Sequence, residues 1–186
     1  MSHHLFELIK VKKAMSYAHH CKCKVSSTVA QNLNEMDFER GIWSAAYDGD
    51  STKVQKFLNK NVDPDIRDAA GYTALHYAAS KGHIQICQIL LKFGADVNSV
   101  TRAGNATALH RAATNGKREM VEFLLKNGAC AKLQDNDGRT VLHRAIINNH
   151  FDISNMLAVN QPDLILIPDK KNKVPADYKM YIFTSE

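Results

Sequence analysis

The sequence predicts an all-α solenoid of helix-turn-helix units joined by short hairpin-like loops, about four and a half units long. Three observations predict it. The chain repeats itself at a spacing of 33 or 34 residues. Each repeat carries the same order of turn, short helix, glycine and longer apolar helix. The 150 residues that carry the repeat divide by 33 into about four and a half units, as that repeat length requires.

The frame is read from Leu75-His76-Tyr77-Ala78-Ala79, Leu109-His110-Arg111-Ala112-Ala113 and Leu142-His143-Arg144-Ala145-Ile146, whose histidines fall 34 and then 33 residues apart. Upstream, Ile42-Trp43-Ser44-Ala45-Ala46 holds the same frame 33 residues before Leu75, and downstream Ala176-Asp177-Tyr178 follows Leu142-His143-Arg144 by 34. The predicted units are 37–67, 68–100, 101–134, 135–167 and a partial cap, 168–186. Residues 1–36 precede them as a basic tail.

The second unit shows the internal order. Asp68-Ala69-Ala70-Gly71 makes a turn, with Gly71 free to take a positive φ. Thr73 stands where a helix N-cap belongs, and Ala78 and Ala79 let the short helix approach its neighbours closely. Gly82 ends that helix. A second one is expected from Ile84 to Phe93, with Ile86, Cys87, Ile89, Leu90 and Leu91 on its apolar face. Gly94 stops it, and Asp96-Val97-Asn98 leads into an extended loop.

These residues resemble the ankyrin repeat, whose signature runs Gly-x-Thr-Pro-Leu-His-x-Ala-Ala-x-x-Gly-His and later Leu-Leu-x-x-Gly-Ala. Gly71 to Gly94 matches it almost throughout, and Gly104 to Gly128 and Gly138 to His150 match strongly. Ala74, Ala108 and Val141 stand where the signature has proline, which removes some preorganisation of the first helical position and leaves the fold intact. The resemblance covers residues 37–186. It implies a protein-interaction module that reads its partner through variable positions, with no catalytic centre.

The end units depart from the signature as solenoid caps do. Trp43 takes the place of the histidine in the first, and Asp48, Asp50, Lys53 and Lys56 make one face polar. In the last, Val174-Pro175-Ala176-Asp177 replaces Thr-Pro-Leu-His. The fourth unit carries Asn149 for the interhelix glycine, and Ser154 in the column of Val54, Cys87 and Val121.

Composition excludes several classes. No run of about 18 apolar residues exists for a membrane-spanning helix. Leu5 to Val11 is broken by Glu7 and Lys10 and cannot form the apolar centre of a signal peptide. Four cysteines, at 21, 23, 87 and 130, are too few and too unevenly spaced for a disulfide framework, so a reducing cytoplasmic or nuclear compartment is expected. The net charge of +5 divides into +3 over residues 1–36 and +2 over the remaining 150. Nucleic-acid binding is disfavoured, because the lysines of the tail are interleaved only with Phe6 and Tyr17. Met15 is a second candidate start, which would make residues 1–14 an extension of the reading frame.

Three side-chain patterns invite a chemical reading. His76, His110 and His143 each follow a threonine by three residues, where an imidazole can bond the threonine hydroxyl and bridge adjacent loops. Stacking would hold equivalent histidines about 8–10 Å apart, too far to share one metal ion. His19-His20-Cys21-Lys22-Cys23 supplies metal ligands (His19, His20, Cys21 and Cys23), but consecutive residues wrap a tetrahedron poorly. Zinc or copper binding there is the alternative function, which stoichiometric metal uptake by residues 1–36 would reveal. Asn115-Gly116-Lys117-Arg118 lacks the upstream glycine and following hydroxyl of a phosphate loop and reads as an interhelix turn. No cofactor is expected.

The predicted function rests on the concave face, formed by loops and first helices. Tyr47, Tyr72 and Tyr77 cluster in its first half, and Arg102, Arg111, Arg139 and Arg144 mark the second, with Arg67 on a loop tip. Tyrosine and arginine dominate interface hot spots because they join apolar area to directional bonding. A monomeric, non-catalytic scaffold or adaptor is expected, binding an acidic and partly apolar protein segment along this face.

Overall fold

The computed structural model describes residues 41–178, all within the second of the two units into which the chain divides, 36–186. Its helices come in pairs: α1 (Ile42–Asp48) with α2 (Ser51–Asn59), α3 (Ala74–Lys81) with α4 (Ile84–Lys92), α5 (Ala108–Thr114) with α6 (Arg118–Lys126), and α7 (Val141–Ile147) with α8 (Phe151–Asn160). A 3-10 turn, Pro162–Leu166, follows α8, and a second one, Pro175–Tyr178, opens the terminal cap. Among the described residues the only β-pairing is an isolated antiparallel bridge between Val100 and Thr107.

The first helices stack in one row, α1 on α3, α3 on α5 and α5 on α7, with the terminal turn against α7. Alanine makes the close approach possible: Ala45, Ala46, Ala78, Ala79, Ala112, Ala113 and Ala145 are all buried in that row. The second helices stand behind it and contribute the large side chains, among them Val54, Leu58, Ile86, Leu90, Met120, Leu124, Ile153 and Leu157. The result is one continuous apolar core that no single unit could close by itself. The expected second helix of unit two ends one residue early, since Phe93 is its C-cap, and Ile89 and Leu91 are only partly buried.

The helix starts obey the expected rule in a particular form. Thr73, Thr107 and Thr140 are N-caps in extended conformation, and each shares a capping box with the histidine three residues on. In unit two the Thr73 N–H donates to His76 Nδ1 at 3.2 Å, and the Thr73 hydroxyl lies 2.9 Å from the same nitrogen. The far side of each ring spans to the next unit: His76 Nε2 to the Ala106 carbonyl (3.0 Å), His110 Nε2 to that of Arg139 (3.1 Å), and His143 Nε2 to that of Lys173 (3.2 Å). In unit one Trp43 takes over, its indole N–H donating to the Ile66 carbonyl at 3.0 Å.

The loops that receive the histidine bonds, and the matching loop of unit two, each begin with a residue that closes them. Asp68, Thr101, Asp135 and Asp169 donate their backbone N–H to the carbonyls of Tyr72, Ala106, Arg139 and Lys173 respectively. The loop of unit three is one residue longer than the others, and Asn105 absorbs the extra residue at φ 51°. This is the physical origin of the 34-residue step from His76 to His110. Gly71 takes the expected positive φ, +83°, and a Cβ there would lie 2.3 Å from Arg102 Cβ. Asn149 adopts φ 64°, so asparagine holds the left-handed turn where the other units use glycine.

Candidate functional site

The side chains that matter on the loop face are placed by two positions of the frame: the residue that opens each loop, and the residue after the capping histidine nine or ten positions later. In unit two Asp68 Oδ1 accepts the Tyr72 N–H (2.8 Å), which leaves Oδ2 to accept the Tyr77 hydroxyl at 2.5 Å. Burial and this bond push the Tyr77 phenol above its ordinary pKa. In unit four Asp135 Oδ1 accepts the N–H groups of Asp137 (2.9 Å) and Arg139 (3.0 Å), while Oδ2 accepts Arg144 Nε at 2.6 Å. In the cap Asp169 Oδ1 accepts from Lys171 and Lys173, and Oδ2 takes the Tyr178 hydroxyl. The Tyr178 bond leads the causes that hold the Asp169 carboxyl down at about 2. Unit three is the exception. Thr101 closes its loop by accepting the Ala106 N–H at 3.1 Å, and its side chain has no second oxygen to offer Arg111.

Two clusters result. The first gathers Tyr47, Tyr72, Tyr77 and Arg111, with Lys81 and Asp68. Tyr47 meets Tyr77 edge-on at 6.2 Å, and Tyr72 lies 5.4 Å from Tyr77 at a tilt of 36°. Lys81 Nζ stands 4.0 Å from the centre of the Tyr47 ring, and the Arg111 guanidinium carbon 5.4 Å from that of Tyr72. Tyr47 is exposed, while Tyr72, Tyr77 and Arg111 are half-buried. With two cations to one carboxylate among its named members, this cluster is locally positive.

The second cluster gathers Arg139 and Arg144 with Asp135 and Asp137. Arg139 Nη1 bonds Asp137 Oδ2 at 3.0 Å, and Arg144 Nη2 reaches the same oxygen at 3.2 Å while pairing with Asp135. Two arginines face two carboxylates, and the Asp135 side chain is fully buried. Arg139 also lies over the Tyr178 ring at 5.5 Å.

The predicted site residues therefore separate. Tyr47, Tyr72, Tyr77 and Arg111 are brought together. Arg139 and Arg144 are held by carboxylates of their own unit. Arg67 is a clamp between loops, donating to the carbonyls of Gly71 (3.1 Å) and Val100 and to the Ser99 hydroxyl (2.9 Å). Arg102 is exposed, its backbone seated on Gly71. His19, His20, Cys21 and Cys23 lie outside the described residues. Among the described residues no three His, Cys, Asp or Glu side chains are grouped to hold a metal ion, and no helix is long and apolar enough to cross a membrane. Cys87 is buried, with its thiol pushed up to about 12 by desolvation, and Cys130 is exposed. Reading residues one at a time missed Asp68, Asp135 and Asp169. The signal that finds them is the recurring interval of nine residues between a loop-opening aspartate and the residue after the histidine position, which Asp177 occupies in the cap.

A family model described as ankyrin repeats in three copies matches residues 42–135 and 93–166. Ankyrin repeat domain-containing protein 39 of Homo sapiens is 55% identical over 73 residues, covering 39% of this chain and 40% of that protein. The Bos taurus protein of the same name is 62% identical over 55 residues, 30% of each chain. E3 ubiquitin-protein ligase XBAT33 of Arabidopsis thaliana is 36% identical over 136 residues, 71% of this chain and 25% of the ligase. The chain thus spans less than half the length of each of these relatives.

Proposed function

Because this chain belongs to the ankyrin-repeat family, whose members generally mediate protein–protein interaction, we propose that it is a non-catalytic scaffold or adaptor that binds an acidic, partly apolar protein segment on its loop and first-helix face. The observation that carries this reading is the shelf of Tyr47, Tyr72 and Tyr77 with Arg111 beside it. Three aromatic rings, with Tyr47 and Tyr72 each against Tyr77, offer a preorganised apolar surface at low entropic cost, and the local excess of positive charge favours an anionic partner. The proposed setting is a reducing cytoplasmic or nuclear compartment.

The test is affinity capture with mass spectrometry, comparing the full chain with a Tyr47→Ala/Tyr72→Ala variant whose folding is verified by circular dichroism. Partners held by the wild type and lost by the variant are the expected result. An unchanged set of partners would refute the assignment of this face.

A further inference from the structure

Resting on that reading of the face, we infer that Arg111 is its specificity-determining anchor and takes a carboxylate side chain, Asp or Glu, of the bound segment, the place for that carboxylate having been vacated by Thr101. The loop-opening position holds aspartate in units two, four and five, and in each the second carboxylate oxygen is consumed internally, by Tyr77, Arg144 and Tyr178. Unit three has the cation, Arg111, without the acid. Thr101 spends its hydroxyl oxygen on the Ala106 N–H. Among the described residues no carboxylate pairs with Arg111, and its Nε is buried with no hydrogen-bond partner. Arg139 shares that last feature, but its Nη1 is already held by Asp137.

An arginine Nε–H shielded from water and unbonded is an incomplete arrangement, since burial removes its hydration and nothing replaces it. That Nε is closed to any group the size of water, so an incoming carboxylate meets Arg111 at its two Nη nitrogens, which are neither buried nor hydrogen-bonded among the described residues, with charge-assisted bonds and the fork geometry that guanidinium favours. The neighbourhood adds direction. Arg111 lies over Tyr72, and Tyr72 passes the surface on to Tyr77 and Tyr47. A segment with its acid on Arg111 therefore lays the adjoining residues along the tyrosines, which fit apolar side chains. Arg144, equivalent to Arg111 in the frame, offers no such place, because Asp135 already fills it.

Thr101→Asp gives unit three the loop-opening acid of unit four, on a loop one residue longer, and so supplies the internal acid and closes the anchor without deleting any side chain that a partner touches. Arg111→Gln removes the cation instead. The experiment selects a genetically encoded random dodecapeptide library on the immobilised full chain, then measures the selected peptides against Thr101→Asp, Arg111→Gln and Tyr47→Ala/Tyr72→Ala. Urea unfolding checks that each variant is folded. The expected result is an acidic residue at one fixed position flanked on one side by apolar residues, with affinity falling about thirtyfold in both Thr101→Asp and Arg111→Gln. Peptides that need the tyrosines but carry no fixed acid, and bind both unit-three variants as they bind wild type, would overturn the anchor and leave the proposed face standing. Selection of no peptide that depends on the tyrosines would overturn both.

Discussion

Acidification from about pH 7.5 to about pH 4 should cost the fold about 3 kcal/mol through His76 alone. The reason is geometric. The Ala106 carbonyl can only accept, so His76 Nε2 must carry hydrogen, and the Thr73 N–H can only donate, so Nδ1 must be bare. Only the neutral ring with its hydrogen on Nε2 satisfies both neighbours, and a second proton on Nδ1 would point at an N–H. Burial pushes the His76 pKa down to about 4 from 6.5. The folded-state value lies below the unfolded one, so the unfolded chain binds more protons between them. The stabilisation is thus fully present above about pH 6.5 and is lost as the pH falls through the window to about 4. That interval is worth about 3 kcal/mol at roughly 1.4 kcal/mol per pH unit. His110 and His143 are displaced in the same direction, again mainly by burial, and add to the loss. Asp65, whose carboxyl burial pushes up, works in the opposite sense and offsets a little at the acidic end. Asp50 and Asp169, held at about 2, lose their contribution only below about pH 4, outside the window. Set against a typical total of about 5–15 kcal/mol, the histidine loss is large. Urea unfolding across this pH range measures it, and imidazole nitrogen shifts in NMR report which nitrogen is protonated. A His76 ring that titrates near pH 6.5, or a stability that stays level from about pH 6.5 to about pH 4, would refute the argument.

Three further expectations concern the array itself. Gly71→Ala should cost about 2–4 kcal/mol, since its Cβ would strike Arg102 at 2.3 Å as well as suffer the positive φ, whereas Gly94→Ala, with φ +91° and nothing within 4 Å, should cost about 1 kcal/mol; equal losses in urea unfolding would contradict the inter-unit contact. Ser154 lies beside an apolar cavity of about 20 Å³ lined by Leu142, Ile146, Ala158, Ile165, Pro175 and Ala176, and its hydroxyl only bonds back to the Phe151 carbonyl. Ser154→Val, restoring the branched residue of Val54 and Val121, should therefore raise stability by about 1 kcal/mol, read as a higher Tm. Amide hydrogen exchange should be fastest over the last described segment, 150–178, where Val159 and Leu166 are 81% and 78% exposed; uniform protection along the array would be the contrary result.

Much of the fold was legible without coordinates, because its determinants are local and repeated. Thr73, Gly82 and the apolar run of α4 act within one or two helical turns, and each is checked by its counterparts in other units. The bridging role of His76, His110 and His143 was legible for the same reason, a threonine at fixed spacing. The 3-10 turn at Pro162–Leu166 has no counterpart elsewhere in the frame, and no repeat pointed to it.

The sequence by itself determined the repeat frame, the helical pairs and the columns of core residues, and it singled out a face rich in tyrosine and arginine. Only the tertiary structure decided which of those side chains are spent and which are available. Arg67 reaches Val100 and Ser99, 33 and 32 residues away, and Arg144 closes on a carboxylate whose other oxygen is tied into its own loop. Arg111 and Arg144 look alike in the sequence, at the same place in the frame after the same histidine. They differ because the loop that packs against each presents a threonine to one and an aspartate to the other. A hydrogen-bonding group is satisfied by whatever the fold places within about 3 Å of it, whatever its neighbours along the chain.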